Sequence, residues 1–223
     1  MQELNAIQLL VVWAPPILLA ITLHEIAHGW AALWLGDATA RSQGRLSLNP
    51  LKHVDPVGTV LVPALLYLLG GVILGWARPV PVNYRRLRQP RRDMALVAAA
   101  GPAANLLMAL CWTLLMGLAL LAWSLGQRWL GVPLLLMANV GILVNVVLAI
   151  LNLLPVPPLD GSRILASLLP PRGAMALARV EPYGLLIVLL LLATGVLGMI
   201  LAPTAGWVQH FLRDIVFAFF GTS

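Results

Sequence analysis

Residues 18–35 read LLAITLHEIAHGWAALWL. Two histidines and a glutamate stand within five positions of an otherwise apolar run. A charged side chain at the centre of a bilayer costs roughly 2.5–3.5 kcal/mol even on the mildest scale. Three polar groups in a single turn therefore need a common partner, and a divalent cation is the simplest. Each residue of an α-helix advances by about 100°, so His24 and His28 lie on one face, a turn apart, with Glu25 displaced to the side. His-Glu-x-x-His is the helix pattern of zinc proteases, with two ligands and a general base. The plainer reading, two histidines bonded to neighbouring helices, leaves the clustering unexplained.

The surrounding chain has the composition of a membrane protein. Of its 223 residues, 61% are hydrophobic and 10% charged, against about 25% charged in an ordinary soluble domain. Apolar runs at 6–35, 57–77, 94–123, 131–154 and 183–202 approach or exceed the roughly 20 residues that cross a bilayer. We expect an all-α polytopic membrane protein, a transmembrane helix bundle forming one domain over 1–223. The stretch 208–220, VQHFLRDIVFAFF, is amphipathic and is expected at the interface or capping the bundle. The N-terminal MQELNAIQLLVVWAPP lacks a basic leader and a small-residue cleavage site and reads as the start of a retained first span. Cys111 is alone, which excludes a disulfide framework and a cysteine metal motif.

The net charge of +6 has a specific distribution. Twelve of the fourteen Lys and Arg residues fall in 36–56, 78–93 and 155–182. No aromatic-interleaved basic platform accompanies them, so nucleic acid is not the expected partner. The positive-inside rule instead assigns all three segments to the cytoplasmic side. A full crossing by 57–77 would separate the first two. That run contains Pro63 and Gly70–Gly71, where a hydrophobic segment can fold back if protein surrounds the irregular backbone. We expect a re-entrant segment at 57–77, with a plain crossing as the alternative.

A catalytic zinc takes three protein ligands and keeps one position open. Glu3 and Asp214 lie near the chain ends, Asp93 and Glu181 sit among arginines, and Asp37 and Asp55 read as turn residues. Asp160 differs. It sits in NLLPVPPLDG (152–161), where Pro155, Pro157 and Pro158 forbid a continuing helix. Broken helix at membrane depth lets a side chain turn inward where it lines a cavity. A helix-ending turn with a solvated Asp160 is the alternative.

HEIAH (24–28), AGPAAN (100–105) and NLLPVPPLDG (152–161), in this order, resemble the site-2 protease family of intramembrane zinc metalloproteases. GRLSLNPLKHVDPVGT (44–59) and GWARPVPVNYRRLRQPRRDMALVAAAGP (75–102) look like its compact members, without an inserted PDZ region or a CBS pair. The resemblance covers roughly residues 20–165. It implies one zinc ion held by His24, His28 and Asp160, with Glu25 as catalytic base. Asn152 matches a family position for substrate or oxyanion contact. Asn105 matches the asparagine of the Gly-Pro-x-x-Asn motif and is a second candidate for substrate or oxyanion contact, with helix-to-helix hydrogen bonding as its plainer role. His53 is a candidate extra ligand, though a structural role fits a loop histidine better.

Expected substrates are transmembrane segments of other proteins, cut from the cytoplasmic side of a prokaryotic inner membrane. Residues 71–83, GVILGWARPVPVN, are expected to supply a β-hairpin or edge strand near the site, holding an extended substrate. Two rivals stand beside the protease. One is an inactive zinc-binding scaffold, and the other an ion transporter with ionisable groups along its path.

Overall fold

The computed structural model describes residues 5–61 and 78–220. Helix α1 (Ala6–Trp34) begins at a capping box, in which Asn5 and Gln8 each accept the other's backbone N–H. Gly36, at φ +113°, lies just beyond its end and turns the chain into a short α2 (Thr39–Ser42). Two long helices follow, α3 (Pro90–Ser124) and α4 (Arg128–Leu153). Their connection is so short that they must run antiparallel, and they make the most extensive helix pair in the molecule. A short α5 (Asp160–Leu168), then α6 (Pro171–Val180), α7 (Gly184–Ala193) and α8 (Val196–Phe220) complete the described helices.

Small residues bring the helices together. A Cβ on Gly141 of α4 would stand 2.2 Å from the ring of Trp112 on α3, so the indole lies on the bare backbone. Ala109 and Met116 of α3, Ala138 and Ile142 of α4, and Ala205 and Leu212 of α8 form one buried cluster. Outward-facing positions are also apolar: Leu107 and Leu114 on α3 are 63% and 64% exposed. Four described helices, including the α6–α7 unit Pro171–Ala193, are long and apolar enough to cross a bilayer. The chain is a multi-pass membrane protein, and lipid covers that surface.

The last third departs from expectation. The run 183–202 is not one helix, because Thr194 and Gly195 (φ +75°) end α7 and α8 starts afresh. Residues 208–220 are helical and continuous with the preceding residues. They are the second half of α8, whose Leu212 and Val216 pack against α3 and α4 while Phe211 and Phe217 face outward.

Most of the run 57–77 lies outside the described residues. Its flanks are joined: Arg78 N–H donates to His53 O at 2.8 Å, and Arg45 donates to Lys52 O and Arg78 O. Of the segment 71–83 expected to supply a strand, 71–77 lies outside the described residues; the β-hairpin is not confirmed, since no strand is present among the described residues. Residues 78–83 form no regular element and build no ladder. Pro79 and Pro81 have no N–H to offer, and the N–H groups of Val80 and Asn83 are taken by the carboxylates of Glu25 and Asp37.

Asp37 anchors that segment. Its side chain is fully buried, one oxygen accepting from Thr39 N and Oγ1 and the other from Asn83 N. Burial pushes its carboxyl up, but these hydrogen bonds and the Arg86 charge outweigh it and hold it below its ordinary value. A depressed folded-state value means stability that is full above the ordinary carboxylate range and lost as pH falls through the folded value. Asp37→Asn turns an amide N–H toward one of three donors and is expected to cost about 1–3 kcal/mol at neutral pH. Thermal unfolding in detergent should show a gap to the wild type that is constant down to about pH 4 and closes below it.

Candidate metal centre

The cluster is built from three helices. His24 and His28 project from one face of α1 toward α3 and the start of α5. α5 begins abruptly because the Leu154–Leu159 segment, with its three prolines, cannot continue α4. Asp160 is its first residue. Gly161 provides room for this entry, since a Cβ there would stand 2.2 Å from Leu153 O and 2.4 Å from Leu154 O.

Asp160 Oδ2 lies 3.3 Å from Nε2 of both His24 and His28, and the two Nε2 atoms are 3.1 Å apart. The remote ring nitrogens are engaged elsewhere. His28 Nδ1 is 2.7 Å from Val97 O, a carbonyl that can only accept, so Nδ1 carries that ring's proton. His24 Nδ1 is 2.6 Å from Asn105 Oδ1 and donates in the same way. With both Nδ1 atoms protonated and both rings neutral, two Nε2 lone pairs and a carboxylate oxygen face one another. Three acceptors cannot satisfy each other, and Asp160 Oδ2 is a buried oxygen without a hydrogen-bond partner.

A cation resolves this. A tetrahedral ion with Zn–N and Zn–O bonds of about 2.0–2.1 Å needs ligand atoms about 3.3 Å apart. The three observed separations fit that requirement. Among the described residues, His24, His28 and Asp160 form the group positioned to bind a metal ion.

Glu25 stands apart from the three ligand atoms. Its Oε2 accepts from Val80 N at 2.7 Å, and its side chain lines a cleft of about 620 Å³ shared with the two histidines, Asp160 and Asn152. Asn152 Nδ2 gives one of its two protons to Leu148 O at 3.0 Å. Asn105 is fully buried and does not line this cleft. The structure brings it to the His24 ring instead of to an oxyanion or substrate position. His53 stands outside the cluster, with Nε2 on Ser47 O at 2.9 Å.

Four contributors escaped the sequence reading. Gly101 leaves the imidazoles their space, because a Cβ there would stand 2.4 Å from His28 Nε2 and 2.6 Å from His24 Cε1. Asn145 bonds Asn105. Tyr84 and Arg163 close one cleft wall by a hydroxyl–guanidinium contact, with Arg163 also 3.8 Å from Glu181. Arg163 follows Asp160 by three positions, and that spacing was a readable signal of a shared helix face.

Comparison with known proteins points to a family. Residues 133–195 match the family described as Peptidase family M50. The chain is 40% identical over 194 residues to "Putative zinc metalloprotease YwhC" of Bacillus subtilis, covering 84% of this chain and 82% of that protein. It is 37% identical over 180 residues to "Putative zinc metalloprotease Rip2" of Mycolicibacterium smegmatis, covering 79% and 64%. The Mycobacterium tuberculosis protein of the same name is 34% identical over 203 residues, covering 89% and 71%. No solved structure matches.

Proposed function

The chain belongs to the site-2 protease family, peptidase family M50, and from that premise we propose that it is a zinc-dependent intramembrane endopeptidase. The activity is hydrolysis of peptide bonds within or near transmembrane segments of other membrane proteins. The observation that carries this reading is the convergence of three acceptor-only ligand atoms inside a helix bundle, at the floor of a cleft that also holds Glu25. His24 lies ten residues before the end of α1, roughly 15 Å along its axis. That depth places the cleft floor among the apolar helices.

His24, His28 and Asp160 are the residues that hold the ion. When bound, zinc supplies a Lewis acid that lowers the pKa of a water to about 7 and polarises a carbonyl. Glu25 takes the proton of the attacking water and returns it to the leaving amine. Asn152 has a second amide proton to offer the developing oxyanion. The 78–83 segment, with Pro79, Val80 and Val82 on the cleft, forms a wall for an unwound substrate. Val80 N–H is already committed to Glu25, so a substrate strand would pair with this wall through few main-chain bonds.

The orientation follows from charge. Arg88 N–H donates to Leu35 O, Arg45 bridges to Arg78 O, and Arg91 bonds Ser167 O and Leu169 O. The three basic segments thus meet at one end of the bundle, near the site. The positive-inside rule turns that end to the cytoplasm, in the inner membrane of a prokaryotic cell.

The test is cleavage of a labelled transmembrane substrate by the full-length chain in detergent, with fragments located by mass spectrometry. Cuts inside the apolar segment, abolished by chelation and restored by zinc, are expected; cuts confined to soluble loops refute the proposal. Asp160→Asn exchanges an anionic ligand for a neutral one and is expected to weaken zinc binding at least tenfold. Zinc retained at wild-type affinity would remove Asp160 from the ligand set.

A further inference from the structure

We propose that Asn105 and Asn145 form a buried relay that fixes the tautomer of His24 and so keeps its Nε2 open toward a cation. This rests on the reading of His24 as a metal ligand. Neither asparagine touches the reacting atoms, and both are positioning residues.

The chain of contacts begins at Gly141 O, a main-chain carbonyl on α4 that can only accept. Asn145 lies one turn on, with Nδ2 2.8 Å from that oxygen. Its amide orientation is thereby set, and its Oδ1 faces Asn105 Nδ2 at 2.9 Å. Asn105 Nδ2 also lies 3.3 Å from Ala20 O on α1, a second acceptor. With its nitrogen committed twice, Asn105 has only Oδ1 to present to His24 Nδ1. The imidazole must place its proton there, and Nε2 keeps a lone pair facing Asp160.

Reversing either amide brings oxygen against oxygen. Reversing Asn105 would also protonate His24 on Nε2, the atom that must remain bare. Asn105 and Asn145 have no solvent-accessible surface, so water does not compensate for a reversed amide. His28 needs no such device, because Val97 O performs the same task directly. One ring is set by main chain, the other by side chains from two helices. A metal-ligating histidine whose second nitrogen loses its partner typically loses about 10–100-fold in metal affinity.

The rival account treats the pair as polar contact between helices, with no bearing on the ring. Zinc affinity of the purified full-length chain, measured by chelator competition, separates the two. The visible spectrum of the cobalt-substituted protein is the second readout. Asn105→Leu keeps the branched shape and removes the acceptor, whereas Asn105→Asp keeps one oxygen at His24 Nδ1 and, protonated on the other, still donates to Asn145 Oδ1. We expect Asn105→Leu to weaken zinc binding about 10–100-fold and to shift the cobalt bands, with Asn105→Asp within about threefold of wild type. Asn145→Leu should fall between them.

A packing role predicts the reverse order, since leucine suits a buried apolar site better than a carboxyl group. Wild-type affinity in Asn105→Leu, or weaker binding in Asn105→Asp than in Asn105→Leu, overturns the relay. Wild-type affinity in Asn145→Leu overturns it as well, by cutting its second link. If Asn105→Leu fails to fold, Asn105→Asp and Asn145→Leu decide the question between them. A wild-type chain that binds no zinc overturns the metal-site reading itself, a failure visible before any variant is made.

Discussion

Glu25→Gln is expected to lower turnover by roughly 10²–10⁴-fold, the contribution of a positioned general base, while zinc binding and the fold persist. The expectation comes from where the carboxylate stands. It is outside the three ligand atoms, lines the same cleft, and holds Val80 N–H through Oε2. Glutamine matches it in length and retains a carbonyl oxygen that can accept from Val80, so the 78–83 wall stays in place. What it lacks is basicity. Cleavage of a labelled transmembrane substrate, with zinc content measured on the same preparation, checks both halves. Turnover within tenfold of wild type would reduce Glu25 to an anchor for the wall. Loss of the metal along with activity would make it a ligand.

The helices were legible because bilayer chemistry leaves few options. Runs expected at 6–35, 94–123 and 131–154 correspond to helices at Ala6–Trp34, Pro90–Ser124 and Arg128–Leu153. Less legible was the division of an apolar run into shorter pieces. Around residues 183–202 composition is uniform across the break, and only the left-handed glycine at 195 marks it. The strand expectation for 71–83 rested on β-branched residues. In its described part, 78–83, it gave too little weight to Pro79 and Pro81, and had no means of seeing that two distant carboxylates take the Val80 and Asn83 donors.

The metal site divides similarly. His24 and His28 were readable from helical spacing, since a single turn fixes their separation. Asp160 stood out by its prolines, yet residue chemistry alone left a solvated turn as the alternative, and the resemblance to a family carried the choice. In sequence, Gly161 suggests only the conformational freedom a tight turn needs. The structure gives it a different reason: α5 passes so close to Leu153 O and Leu154 O that no Cβ fits. Asn105 was placed with the substrate contacts, but its depth depends on how α3 faces α1, which no local pattern contains. Asn145 carried no signal at all. An asparagine on an apolar helix is conspicuous only once its neighbours across two helices are known.

Gly101→Ala provides the sharpest contrast between local preference and site geometry. Alanine is favoured over glycine in a helix interior by about 1 kcal/mol, and residue 101 lies well inside α3. On propensity alone the substitution stabilises. Yet its Cβ would stand 2.4 Å from His28 Nε2, 2.6 Å from His28 Cε1 and 2.6 Å from His24 Cε1. These are side-chain tips, so helix α3 need not yield. The rings must move, and they cannot do so freely, because their other nitrogens are bonded to Val97 O and Asn105 Oδ1. Tilting either ring about its Nδ1 hydrogen bond pulls its Nε2 out of the tetrahedral arrangement with Asp160. We expect thermal stability of the metal-free chain to be unchanged or raised, zinc affinity to fall by at least 10–100-fold, and cleavage to fall with it. Stability and metal binding should thus move in opposite directions. A Gly101→Ala chain that binds zinc and cleaves as well as the wild type would mean that the imidazoles converge somewhere other than over this glycine.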